Sequence, residues 1–357
     1  MKKAYISILL LSMVSCKQGS HSPEFVTSLP SQIFELNNYE VLEFSDIPFI
    51  GTTDQWKIGE EGFTFLVGSS VYHYPQSDAE PFIIDSDIYM ELMGCNPRNF
   101  SISGNKLFIL CDGKGTVHEF SLEEKSYVAS MDLKVDASRI LVLHDRIFLY
   151  QTPNTLNQDS SLNHQIFTFP LSNQEERKKY FPYPASMTNS YQFNVLVNQT
   201  FAIIGNEIMF SRMLNDSLVK FDNGGNLIGI ERLHVLSEKI DAKVGVELDE
   251  EKLYFPLYLT QSEKWRFYSL IKDFNLKTLI HHLPTGKKLM IDKVRLSNGI
   301  EFPFLGQVHR DYVYLLLTDE AFLEFNKKES YPEPFQKLQS YEIPFLFIRF
   351  PLDELAD

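Results

Sequence analysis

Along most of the chain, apolar residues fall in short runs separated by small clusters of Asn, Asp, Gly and charged residues, and no long stretch keeps a helical period. One pattern recurs: an apolar residue, two variable residues, then an aromatic residue or Leu. It reads Val71-Tyr72-His73-Tyr74, Val117-His118-Glu119-Phe120, Ile166-Phe167-Thr168-Phe169, Leu218-Val219-Lys220-Phe221, Phe267-Tyr268-Ser269-Leu270 and Phe322-Leu323-Glu324-Phe325. Successive copies lie about 50 residues apart, the period of propeller blades and arrays. Each copy follows a segment rich in β-branched and aromatic residues: Phe63 to Val67, Leu107 to Leu110, Ile147 to Tyr150, Ile208 to Phe210, Leu253 to Phe255 and Val313 to Leu317.

Most of these segments open after a polar turn. The turns are Gly59-Glu60-Glu61-Gly62, Ser103-Gly104-Asn105, His144-Asp145-Arg146, Gly205-Asn206-Glu207, Asp249-Glu250-Glu251-Lys252 and His309-Arg310-Asp311. A turn, an apolar strand, a loop and a second strand, six times over, predict an all-β chain folded as a β-propeller. Seventeen scattered prolines also disfavour long helices. A β-sandwich or two stacked β-domains would use the same strands. Ile33 to Phe44 and Tyr341 to Phe350 also read as strands outside the six units. If the chain ends complete the sixth blade, the count is six, which is the expectation; if they form a shared blade of their own, it is seven.

The fourth unit is the clearest, with Leu218 to Phe221 leading into Asp222-Asn223-Gly224-Gly225 and a returning strand from Asn226 to Leu233. That outer hairpin resembles those of TolB-like and NHL-like propellers. The resemblance is one of architecture over most of residues 45 to 340, and it implies no catalytic residues. Ser121-Leu122-Glu123-Glu124 and Asn326-Lys327-Lys328-Glu329 depart from it, having no glycine in that turn.

In a four-stranded blade, the loop between the second and third strands and the crossing to the next blade share one face. The longest polar interruptions, Gln151 to Gln165, Tyr180 to Gln199 and Leu283 to Glu301, are expected there, making that face the candidate binding surface. Its candidate contacts are Arg98, Tyr183, Tyr191, Arg212, Tyr258 and Trp265, an Arg fork for carboxylates and aromatic faces for sugars or peptides.

Catalytic signatures are scarce. There is no H-x-x-x-H pair, no C-x-x-C and no G-x-S-x-G elbow. Asp222 to Asn226 lacks the alternating acids of a calcium loop. No catalytic residue, cofactor or metal site is expected, and the chain is read as a binding protein. A hydrolase or lyase acting on a sugar or lactone, its residues gathered from several blades at the central channel, is the alternative.

The first residues change the picture of where this happens. Lys2 and Lys3 precede an apolar stretch from Ala4 to Val14, and Met13-Val14-Ser15-Cys16 follows. The order resembles the bacterial lipoprotein signal, with Met13 where Leu is usual. The resemblance implies cleavage after Ser15 and lipidation of Cys16. Residues 1–15 are then the signal peptide, 16–31 a flexible tether and 32–357 one propeller domain. Lys17, rather than Asp, after the lipidated Cys implies the outer membrane.

Composition fits a globular domain, with 44% hydrophobic and 22% charged residues. The net charge of −14 argues against nucleic acid and leaves the lipid as the route to a membrane. The expected partner is a protein, peptide or glycan of the cell envelope, bound by a monomer.

Cys95 and Cys111 flank two strand-like segments joined at Ser103-Gly104-Asn105, about two residues out of register. A bulge would let them form a disulfide in an oxidising compartment; two buried thiols are the other possibility.

Overall fold

The computed structural model describes residues 29–44, 53–76, 80–85, 91–92, 94–111, 115–152, 164–183, 201–211, 217–232, 255–272, 275–304, 306–318 and 330–355. Two short strands come first, β1 (Ser31–Leu36) and β2 (Glu40–Leu42). Blade one follows with β3 (Thr53–Gly59), β4 (Gly62–Val67), β5 (Ser70–Pro75) and β6 (Phe82–Ile84). Blade two has β7 (Pro97–Ser103), β8 (Lys106–Cys111), β9 (Thr116–Ser121) and β10 (Ser126–Asp132). Blade three has β11 (Arg139–Leu143), β12 (Arg146–Tyr150), β13 (His164–Pro170) and β14 (Lys178–Pro182). Blade four has β15 (Phe201–Ile204), β16 (Glu207–Ser211), β17 (Ser217–Asp222) and β18 (Leu227–Arg232). Blade five has β19 (Phe255–Gln261), β20 (Trp265–Lys272), β21 (Asn275–His282), β22 (Lys288–Leu296) and the two-residue β23 (Glu301–Phe302). Blade six is built from β24 (Gly306–His309), β25 (Tyr312–Thr318) and β26 (Phe345–Pro351), a short helix α1 (Phe335–Gln339) preceding β26.

Six small sheets stand in a ring, and the fold is a six-bladed β-propeller. The ring closes where β2 pairs with β26 as the fourth strand of blade six. β1 goes elsewhere, running parallel to β22 as an added outer strand of blade five. The expected strand from Ile33 to Phe44 is therefore two strands in two blades, and no seventh blade forms.

Three other expectations need correction. Leu283 to Glu301 is not a long loop, because β22 fills most of it, with Met290, Ile291, Val294 and Leu296 buried between charged neighbours that face out. The pattern Phe267 to Leu270 lies on the second strand of blade five, β20, rather than on a third strand as in blades one to four. Of the expected second strand Leu253 to Phe255, only Phe255 is among the described residues, and it opens β19, the first strand of its blade. In blade six the third strand is β26, within the segment from Tyr341 to Phe350; Phe322 to Phe325 lies outside the described residues.

The core is divided by geometry into one cluster per blade junction. On β8, Leu107, Ile109 and Cys111 pack toward blade one, while Phe108 and Leu110 pack toward blade three. A strand covered on both sides alternates between two apolar surroundings, which is why second strands such as β8 and β12 read as nearly continuous apolar runs. The junction between blades six and one is the aromatic one, with Trp56, Phe65, Tyr72, Tyr314, Phe345 and Phe347 buried together.

Around the axis, side chains of one inner strand bond the backbone of the next. Gln55 Nε2 donates to the Arg98 carbonyl at 2.6 Å, and the Lys57 ammonium donates to the Phe100 carbonyl at 2.6 Å. Asn99 Oδ1 accepts from the Ile140 N–H and Ser101 Oγ from the Val142 N–H, each at 2.8 Å. Gln307 Nε2 donates to the Trp56 carbonyl at 2.6 Å, and Thr260 Oγ1 accepts from the Val308 N–H at 3.1 Å. These side chains satisfy their buried polar atoms while fixing blade one against two, two against three, five against six and six against one.

Candidate binding site

The two faces of the ring differ. The connections between first and second strands are tight, so one face carries short turns only at its centre. Gly104, His144, Gly205 and Arg310 occupy the same turn position with φ of 55°, 54°, 55° and 53°. Glycine adopts this left-handed conformation freely; His144 and Arg310 do so against their side chains. In blade one, Gly62 takes the strained place instead, with φ +132°, and a Cβ there would stand 2.0 Å from the Tyr74 carbonyl oxygen. A side chain at Gly62 would push β4 away from β5.

Three cavities open on this face, and His309 lines all of them. One is the mouth of the axial channel, about 520 Å³, walled by Lys57, Ser101, Leu141, Phe201, Gln261 and Gln307. A broader basin of about 850 Å³ runs across the turns of blades four to six, past Gln261, Lys264, Trp265 and Arg310. The third is a cleft of about 590 Å³ between blades six and one, lined by Phe44, Phe63, Tyr74, Gln76, Tyr312 and Tyr314 with Arg310 and Arg349 at its edge.

The cleft owes its aromatic wall to the ring closure. Phe44, just after β2, sits 4.9 Å from Phe63 and 5.0 Å from Tyr74, centroid to centroid. Tyr314 lies edge-on to Phe63 at 5.6 Å. The cations at the rim are already matched. Arg310 forks onto Glu60, with Nε 3.1 Å from Oε1 and Nη2 bonded to Oε2. Arg349 Nη2 lies 2.6 Å from Glu40 Oε2, and its guanidinium covers the Tyr312 ring at 5.1 Å. Both the Glu60 carboxyl and the Arg310 guanidinium are shifted toward their charged forms by this bond.

Between the cavities, His309 Nε2 is buried without a hydrogen-bond partner among the described residues, 3.9 Å from Glu60 Oε1. Burial holds its pKa below the ordinary range, and the ring is neutral at pH 7. In the channel, burial and the repulsion of Arg139 push the Lys57 amine down to about 7.

The sequence candidates are distributed differently from this site. Arg98 is on the loop-rich face, where its Nη1 pairs with Asp136 Oδ1 at 3.1 Å. Tyr183 is there too but is 7% exposed, its hydroxyl donating to the Gln151 carbonyl at 2.8 Å. Trp265 is on the opposite face from the one expected, since it opens β20 directly after the turn from β19. It is 5% exposed and packs on His282 at 4.4 Å, forming a wall of the basin. Tyr258 lies on β19 with its side chain outside the described part; Tyr191, Arg212 and Cys16 fall outside it altogether.

Phe44, Tyr74, Arg310, Tyr312 and Arg349 escaped sequence reading because the cleft joins the first blade to the last. The available signal was the alternation of aromatics in Tyr72-His73-Tyr74 and Tyr312-Val313-Tyr314, which puts several rings on one side of adjacent strands.

No family profile matches the chain, and no curated protein does. Among solved structures, the chain is similar to a candidate exported protein of Bacteroides fragilis NCTC 9343, with a TM-score of 0.63 at 9% identity over 90% of this chain and 99% of the other. It is also similar to a member of the DUF4221 family from Bacteroides vulgatus, with a TM-score of 0.50 at 11% identity over 90% of this chain and 98% of the other. BamB of Moraxella catarrhalis aligns with 78% of this chain and 82% of its own, at a TM-score of 0.41 and 9% identity. At such identities the likeness concerns the fold alone.

Proposed function

We propose that this propeller is an exported, lipid-anchored binding protein that captures a neutral glycan in the cleft between blades six and one. The observation that carries the reading is the aromatic wall of that cleft combined with rim arginines whose charges are already matched by Glu60 and Glu40. Aromatic rings offer faces for the apolar side of a sugar, while Arg310, Arg349, Glu43 and Gln76 supply donors and acceptors for hydroxyl groups. A matched rim inside a chain of charge −14 offers no attraction to an anionic ligand. The signal-like N-terminus ending at Cys16 supports export and anchoring.

Titration calorimetry of the protein against neutral and acidic oligosaccharides tests the reading. Neutral chains are expected to bind, and Tyr312→Ala with Tyr74→Ala to weaken them at least tenfold, a loss of about 1.4 kcal/mol. Preference for acidic chains, or binding indifferent to both substitutions, would show the assignment to be wrong.

The second reading is the hydrolase or lyase on a sugar or lactone, and His309 favours it: a neutral imidazole beside a carboxylate at the channel mouth is placed as a general base. Turnover of a bound sugar, abolished by His309→Gln, would replace capture with catalysis.

A further inference from the structure

On the loop-rich face, blade two carries a second cluster that the cleft does not involve. Cys95 precedes β7, Cys111 ends β8 and His118 lies on β9. A bulge between Pro97 and Asn99 sets Pro97 opposite Cys111, and the chain turning back from Pro97 brings Cys95 to the same spot. Cys95 and Cys111 form a disulfide. The third member is the less expected one. His118 Nε2 is 3.9 Å from Cys95 Sγ, and the two sulfurs and the imidazole lie within 4.8 Å of one another.

All three residues are buried, at 7%, 0% and 4% exposure. Leu66, Val71, Ile84, Phe100, Leu107 and Phe120 surround the sulfurs. A disulfide needs no imidazole beside it, and burying one in an apolar shell costs free energy. Two sulfurs and one ring nitrogen are, however, the donor set that thiophilic cations take. Bond lengths of 2.3 Å to sulfur and 2.0 to 2.1 Å to nitrogen put tetrahedral donors about 3.8 Å apart for sulfur pairs and about 3.5 Å for sulfur with nitrogen. The Cys95 to His118 separation is already near that value. Reduction frees the sulfurs to part by rotation about the cysteine χ1 bonds.

We propose that Cys95, Cys111 and His118 form a redox-gated site for a thiophilic cation such as Zn²⁺. A dithiol reductant delivers two electrons and two protons to the disulfide and leaves as its own disulfide. The cation then binds both sulfurs and His118 Nε2, the two thiol protons passing to water, with a water molecule in the fourth position. Reoxidation by a disulfide oxidant, which takes the two electrons and two protons and leaves as its own dithiol, re-forms the sulfur–sulfur bond and expels the ion, so the two states exclude each other.

The test uses the whole protein, reduced by a dithiol without denaturant, freed of reductant under anaerobic conditions and titrated with Zn²⁺ against a chromophoric chelator. The reduced form is expected to take up one equivalent and the oxidised form none. His118→Gln should weaken uptake at least tenfold. Because that variant could misfold, Co²⁺ is added to the reduced wild type, where a thiolate-to-cobalt charge-transfer band of tetrahedral character is expected. A reduced protein that unfolds, or that stays folded with two titratable thiols and binds neither ion, overturns the proposal.

Discussion

On β5, His73 occupies a buried position among apolar neighbours, 4% exposed, with its Nδ1 2.8 Å from Thr64 Oγ1. Burial pushes its pKa down to about 4 from an ordinary 6.5. The folded chain therefore refuses a proton that the unfolded chain accepts. Stability from this residue is complete above pH 6.5 and is lost as the pH falls toward 4, on the order of 3 kcal/mol in all. Urea unfolding of wild type and His73→Gln at pH 7.5 and 4.5 checks this. The wild type is expected to lose more between the two values, and equal losses would refute it. In sequence His73 is one of two variable positions in Val71-Tyr72-His73-Tyr74, and nothing local marks it as buried. It is buried because both faces of a blade are covered, which local alternation does not reveal. His309 and Arg310 were legible as a turn for the same local reason, whereas their role at the meeting of three cavities depends on which blades adjoin.

Elements were legible in proportion to their burial. β4, β8, β12, β16 and β25, covered on both sides, stand out as apolar runs between polar turns. The outer strands do not, and β22 shows why: its charged residues Asp292, Lys293 and Arg295 face solvent and break up the apolar signal. β1 was legible as a strand within Ile33 to Phe44 but not in its pairing, since its register partner lies some 260 residues away and nothing local selects a parallel neighbour. Its last residue, Leu36, is fully buried against Ile291, Val294 and Leu296 and seals the outer edge of blade five. Leu36→Ala is expected to cost about 3 kcal/mol, within the range for truncating a buried leucine. Chemical denaturation measures it, and a cost below about 1 kcal/mol would mean that β1 detaches without consequence.

At the scale of the molecule, stability rests on closing a ring. β2 supplies the fourth strand of blade six and delivers Phe44 to the aromatic junction with blade one. Deleting residues 29–44 leaves blade six with three strands and that junction open to water. Circular dichroism and tryptophan fluorescence are expected to give one coincident unfolding transition for the intact protein. In the deletion variant they should separate, because Trp56 loses Leu42 and Phe44 at the opened junction, whereas the larger cluster of Trp265 keeps most of its members after losing Leu36. Coincident transitions in both would mean that the ring closes without its velcro strand. The direction of β1 has a further consequence. It starts opposite Met290, near the β21–β22 turn, so it enters from the side that bears the cleft. If the chain is moored at Cys16, its leash leaves on that side. Thirteen peptide units from Cys16 to Leu29 reach at most about 45 Å. The cleft would then search a thin layer above its mooring, meeting molecules fixed in the same surface far more often than molecules free in solution.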